Sequence, residues 1–235
     1  MNAKDIAQRF DIYFGKVARK LKNNSSIQIL VYSEKLGISY NYPLGEKEIP
    51  FHIASIGKVF TSTLLFILIE RGLISLSDLV VNYLPDSQLK TLFFFDGVDY
   101  SNQVTIKDLM AHTSGVADYF EDPVTNGIPF LEDVTRNSNT FFTPDMLLDF
   151  SRYSQKAVGK PGTAFHYSDT GYILLGNIIE KVTAKPFHAN LHEEFFAPLG
   201  MDNSYLMFDS SAERLKKTSY FFSDGSPKQL LPSYG

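Results

Sequence analysis

The sequence predicts an α+β fold: a helix and a β-hairpin lead into a long helical block, and β structure resumes near the last residues. Three observations predict it. Apolar residues recur at helical spacing over 4–22, two β-rich runs follow within 27–42, and helix caps punctuate 51–201.

Ile6, Phe10, Phe14, Val17 and Leu21 recur every three or four residues, which puts them on one face of an amphipathic helix from Lys4 to Lys22. Ile27 to Ser33 and Leu36 to Tyr42, separated by Glu34-Lys35, read as an antiparallel hairpin. Two strands are marginal alone, so more are expected from elsewhere. A helix from Ser55 to Arg71 is closed by Gly72, and a short one follows Ser77 and stops at Pro85. Thr105 opens the next, with Asp108 three residues on as a capping-box variant. Thr143-Pro144 supplies an N-cap and a first-turn proline. Ser168 or Asp169 opens a helix through Val182, Pro186 opens another ending near Phe196, and strand-like sequence returns at Thr218 to Phe222. The expected organisation is 1–50 as helix plus hairpin, 51–214 as a helical domain, and 215–235 as a return to β structure.

At 235 residues and 44% hydrophobic composition the chain can build a substantial core, because a chain of this size buries roughly 70–75% of its unfolded surface. Lys plus Arg is 22 against 26 Asp plus Glu, and no segment is basic enough to track a phosphate backbone, so nucleic acid is not an expected partner. Zero Cys excludes disulfides, thiolate nucleophiles and Cys-ligated metals, and leaves the redox compartment open. The longest apolar run, Leu64 to Ile69, is too short to span a bilayer. No signal peptide is present as written, which reads as cytoplasmic, or as extracytoplasmic had a signal been removed.

Ser55 and Lys58 form Ser-x-x-Lys at the start of the most apolar helix. Three residues is nearly one turn, so hydroxyl and ammonium share a face and can hydrogen-bond. Serine is a weak nucleophile until a neighbour takes its proton, and the positive end of a helix favours developing negative charge. The bland alternative is a helix cap beside a solvated lysine. A second copy, Ser87 and Lys90, follows Pro85-Asp86 and is read as a chance match. Tyr167-Ser168-Asp169 is the second constellation, between Pro161-Gly162 and an apolar helix. A tyrosine with an ordinary pKa of about 10 serves as a base near neutrality only where a cation favours its phenolate, and Lys58 could be that cation. The alternative is a tyrosine at a capped helix entrance. Tyr100-Ser101-Asn102 has better letters for Tyr-x-Asn but stands in the wrong chain order.

The ordered set is Phe51-His52-Ile53-Ala54-Ser55-Ile56-Gly57-Lys58, Leu109-Met110-Ala111-His112-Thr113-Ser114-Gly115, Pro161-Gly162 to Tyr167-Ser168-Asp169, and Pro198-Leu199-Gly200-Met201. It resembles the serine β-lactamase and penicillin-binding protein superfamily, in the branch of class C β-lactamases, D-alanyl-D-alanine carboxypeptidases and related esterases. The resemblance implies a β-lactamase/transpeptidase-like fold, an antiparallel sheet flanked by helices with an inserted helical domain. It also implies that Ser55 is the acylated nucleophile, Lys58 its proton partner, and Tyr167 the general base that then protonates the leaving group. The implied substrates are β-lactams, D-alanyl peptides or small esters, with no cofactor and no metal. A non-catalytic penicillin-binding or ligand-binding protein on the same scaffold is the rival reading.

Two departures stand out against that family. Its usual Asn in the second motif is Asp169, a substrate-binding position that here lacks the amide donor and adds charge near Lys58. Its third motif, Lys or His, then Thr or Ser, then Gly, is expected on a strand beyond Gly235, and Lys217-Thr218-Ser219 is a poor substitute. The C-terminal strands are therefore expected to be missing, and a C-terminal fragment of the same precursor is an expected partner. Other chemistries are less well supported. Ile53 stands where an α/β-hydrolase elbow needs Gly, His188 and His192 lack the His-Glu-x-x-His of a zinc site, His112 reads as a loop residue and His166 as a neighbour of the site.

Overall fold

The computed structural model describes residues 3–20, 27–44, 53–137, 140, 142–206, 220–222 and 227–229. The chain divides into two compact units, Met1–Phe51 and His52–Gly235.

In the first unit α1 (Ala3–Lys20) lies on a hairpin of β1 (Ile27–Ser33) and β2 (Ile38–Leu44). Phe14 packs near Tyr40 and Tyr42, with ring centroids 6.1 and 5.7 Å away, and Phe10 lies 5.1 Å from Tyr40. The period of two is visible in burial: Ile38 and Tyr40 face the helix, while Leu30 and Tyr32 on the other face are 71% and 69% exposed. Tyr40 donates to Asp11 Oδ1 at 2.7 Å, and burial followed by that carboxylate pushes its phenol up to about 12. Two details differ from the sequence reading. Val17 sits at the exposed edge of the helical face. The second strand starts at Ile38 because Glu34 to Gly37 form a four-residue turn, Gly37 N–H donating to Glu34 O at 3.0 Å with Gly37 at φ +62°, a conformation that favours glycine.

The second unit is built on two apolar helices, α2 (Gly57–Glu70) and α7 (Asp169–Thr183). Leu64, Leu65 and Leu68 of α2 and Leu174, Leu175, Ile178 and Ile179 of α7 share one core. Each fully buried side chain of this kind contributes roughly 1.5–3 kcal/mol, so the helix pair is the strongest packing element of the unit. Around it stand α3 (Asp86–Leu89), α4 (Ile106–Met110), α5 (Phe130–Arg136), α6 (Pro144–Ser154) and α8 (Phe187–Leu191), which runs into a π-helical turn, His192–Phe196. Leu109, Leu148, Leu191, Phe195 and Phe196 join the core from these elements. Two short hairpins, β3 (Phe94–Phe95) with β4 (Val98–Asp99) and β5 (Tyr220–Phe222) with β6 (Pro227–Gln229), complete the described structure.

The caps explain the boundaries. Thr105 Oγ1 accepts from Asp108 N–H while Asp108 Oδ2 accepts from Thr105 N–H, a reciprocal capping box. Thr143 and Ser168 cap α6 and α7 through Met146 and Gly171 N–H. Between Ser77 and Pro85 the expected helix is only a 3-10 turn, Val80–Asn82, because the neighbouring backbone pairs elsewhere: Val80 N–H donates to Val104 O and Ile106 N–H to Asp78 O. Among the described residues no helix is long and apolar enough to cross a membrane. Lys217-Thr218-Ser219 lies outside the described residues.

Candidate active site

Ser55 stands in a 3-10 turn, Ala54–Ile56, that leads directly into α2. Ala54, just before it, has φ +47°, a left-handed conformation that costs a non-glycine residue on the order of 1–3 kcal/mol. The turn leaves Ser55 exposed at the positive end of α2, where a developing anion is favoured.

Ser55 Oγ shares a hydrogen bond of 2.7 Å with the Tyr167 hydroxyl, and Lys58 Nζ donates to the same Oγ at 3.2 Å. The ammonium also forms an ion pair with Asp169 and lies 5.1 and 5.5 Å from the ring centroids of Tyr167 and Tyr172. Ser55, Lys58, Tyr167 and Asp169 thus meet at the adjoining N-terminal ends of α2 and α7. Burial alone would depress the Lys58 ammonium, but hydrogen bonding and charge from Asp169 and Tyr167 outweigh it and hold its pKa above the ordinary 10.5. Lys58 is therefore a cation here and a poor proton acceptor, while the Tyr167 oxygen lies closest to the Ser55 hydroxyl.

Two segments fix the entrance to α7. Asp118, 3% exposed, accepts from Asp169 N–H at 2.8 Å through Oδ1 and from Glu121 N–H at 3.1 Å through Oδ2. Burial pushes its carboxyl up, against the backbone donors that pull it down. Ser168 Oγ donates to Ala117 O, and Tyr119 N–H donates to Thr170 Oγ1. On the other side Gly162 N–H donates to Thr113 O and Val158 N–H to Gly115 O, each at 2.8 Å. His166 Nε2 lies 2.7 Å from Asp122 Oδ2.

The remaining sequence candidates fall elsewhere. Ser87 lies in α3 and Lys90 caps its end, while Tyr100 packs against the core. His188 is in α8 and His192 begins the π-helical turn, and among the described residues no three His, Asp or Glu side chains gather as a metal site. Asp118 escaped the sequence reading, as did the contacts of His112 and Tyr172. Asp118 lies outside any short pattern, whereas the His112 stretch carried one without revealing what the imidazole touches.

Comparison with known proteins gives the same family from independent directions. The Beta-lactamase family model matches residues 41–230. Protein flp of Staphylococcus aureus (strain MW2) is 31% identical over 186 residues, covering 78% of this chain and 33% of that protein. Penicillin-binding protein 4* of Bacillus subtilis (strain 168) is 31% identical over 160 residues, covering 66% and 30%. The octameric penicillin-binding protein homologue from Pyrococcus abyssi superposes with a TM-score of 0.67 at 26% identity, covering 95% of this chain and 50% of that one. The chain spans about a third of the length of the curated relatives it matches.

Proposed function

The chain belongs to the beta-lactamase family, has its β-lactamase/transpeptidase-like fold, and from that premise we propose that it cleaves an amide or ester through a covalent acyl-serine. The substrate class is β-lactams, D-alanyl peptides or small esters. The observation that carries this reading is the 2.7 Å contact between Ser55 Oγ and the Tyr167 hydroxyl beside the Lys58 ammonium. In acylation, Ser55 Oγ bonds to the carbonyl carbon as its proton passes to the ionised Tyr167 oxygen. When the carbonyl–leaving-group bond breaks, the leaving nitrogen or oxygen takes that proton. In deacylation water repeats the sequence: Tyr167 accepts its proton, the hydroxyl adds to the acyl carbon, and Ser55 departs and is reprotonated. Lys58 supplies fixed positive charge next to both oxygens. Asp169 orients Lys58 and faces the substrate.

Labelling with a fluorescent penicillin or a fluorophosphonate, followed by peptide mapping, tests the assignment. The expected adduct is on Ser55 and disappears in Ser55→Ala. An adduct on Ser87, or undiminished labelling in the variant, contradicts it. A second reading, a non-catalytic binding protein, is favoured by the Asp169 carboxylate, which engages the lysine that an active enzyme needs. Saturable binding of the penicillin with no adduct at Ser55 selects that reading.

A further inference from the structure

Tyr167 stands in the irregular stretch before α7 with 37% of its surface exposed, so something must hold its ring if its hydroxyl is to stay beside Ser55. His112 touches that stretch on three sides. Its carbonyl accepts from His166 N–H at 2.7 Å, and its Nδ1 accepts from Ser168 N–H at 3.0 Å, so one residue binds the backbone on either side of Tyr167. Its imidazole also stacks on the Tyr167 ring, with centroids 4.4 Å apart and planes 27° from parallel. The imidazole is anchored in turn. It lies 5.1 Å from the Tyr172 ring at 31°, and the Tyr172 hydroxyl donates to Met110 O and shares a hydrogen bond with Ser62, each at 3.1 Å. Phe165 meets it edge-on at 5.8 Å. His112 adopts φ +55°, a conformation uncommon for a residue other than glycine, and one that the backbone bond from His166 helps to fix.

We propose that His112, neutral and carrying its proton on Nε2, is the positioning residue that clamps Tyr167 against Ser55. This rests on Tyr167 acting as the base for Ser55. The tautomer follows from the geometry, because a nitrogen that accepts from Ser168 N–H carries no proton. Protonation would set Nδ1–H against Ser168 N–H, donor against donor, and release the tyrosine. The titratable groups facing the imidazole are Lys58 from α2, Asp169, Tyr167 and Tyr172 from α7 and its entrance, and His166 from the preceding stretch. Burial, then the Lys58 ammonium, lower the imidazole pKa from the ordinary 6.5 against the pull of Asp169, so the clamp persists into mildly acid solution.

Nitrogen-detected NMR on the full 235-residue chain tests the clamp without any need for turnover. At neutral pH the expected result is an unprotonated His112 Nδ1. On acidification the Tyr167 ring signals should shift with the His112 midpoint, below the ordinary 6.5. A protonated Nδ1, or Tyr167 signals indifferent to that titration, overturns the proposal. The kinetic arm compares Ser55 acylation in two variants. His112→Ala is expected to lose about 10²-fold in acylation rate with little change in half-saturation, the scale of a misplaced reacting group. His112→Asn keeps an acceptor near Ser168 N–H and tolerates left-handed backbone, so it should recover part of the rate and lose the acid limb that follows His112. Wild-type rates in both variants also overturn the proposal. Should wild type form no adduct, the enzyme reading fails while the NMR arm still decides whether His112 holds Tyr167. Should His112→Ala not fold, the wild-type titration decides.

Discussion

At Lys58 burial pulls one way and the hydrogen bonds and charges of Asp169 and Tyr167 pull the other, and the two partners together win. A lysine whose folded pKa lies above 10.5 stays charged to higher pH than it does in the unfolded chain. It therefore contributes stability that is fully present below 10.5 and is lost as pH rises through the folded value. Asp169→Asn removes the carboxylate and leaves burial, which pushes the other way, opposed by Tyr167 alone. The expected outcome is an alkaline limb of Ser55 acylation that moves to lower pH in Asp169→Asn, read from acylation rate against pH. An unmoved limb would mean that the Lys58 charge does not govern that limb. The residues at this site were unevenly legible. Ser55, Lys58, Tyr167 and Asp169 lie in short patterns at helix starts. The bonds of Asp118 to Asp169 and of His112 to Ser168 join positions 51 and 56 residues apart, and no local pattern records such a pairing.

Helix starts were readable where a side chain performs the capping, as at Thr105, Thr143 and Ser168. The helix α5 was not, because Pro129 precedes it without a side-chain cap and its anchor is tertiary: Phe130 lies 5.0 Å from both Tyr119 and Phe142. The turn from His112 to Gly115 is the element on which the Tyr167 stretch is laid. Gly115 has φ +78°, and a Cβ there would collide with the Gly159 carbonyl. Gly115→Ala combines that collision with left-handed strain, so the turn must move away from the segment that carries Tyr167. We expect a loss of about 1–3 kcal/mol in denaturant unfolding together with weaker labelling of Ser55. Wild-type stability and labelling would show that the pairing of the two segments is not needed.

The whole molecule brings together groups 112 residues apart, Ser55 and Tyr167, by packing α2 against α7 through leucine and isoleucine side chains. That the two helices are apolar could be read from the sequence. That their N-terminal ends adjoin could not, since helical periodicity specifies a buried face and not the neighbour that buries it. This packing sets a tyrosine oxygen against a serine hydroxyl, and catalysis by the pair depends on that oxygen. Tyr167→Phe deletes that oxygen and keeps the ring that stacks on His112, so the fold should persist. The most direct measurement is the single-turnover rate of Ser55 acylation in Tyr167→Phe against wild type, with thermal unfolding of both. The expected result is a fall of about 10²–10⁴-fold with an unchanged unfolding transition. An acylation rate near that of wild type in a folded variant would contradict it and pass the role of base to Lys58 or to water.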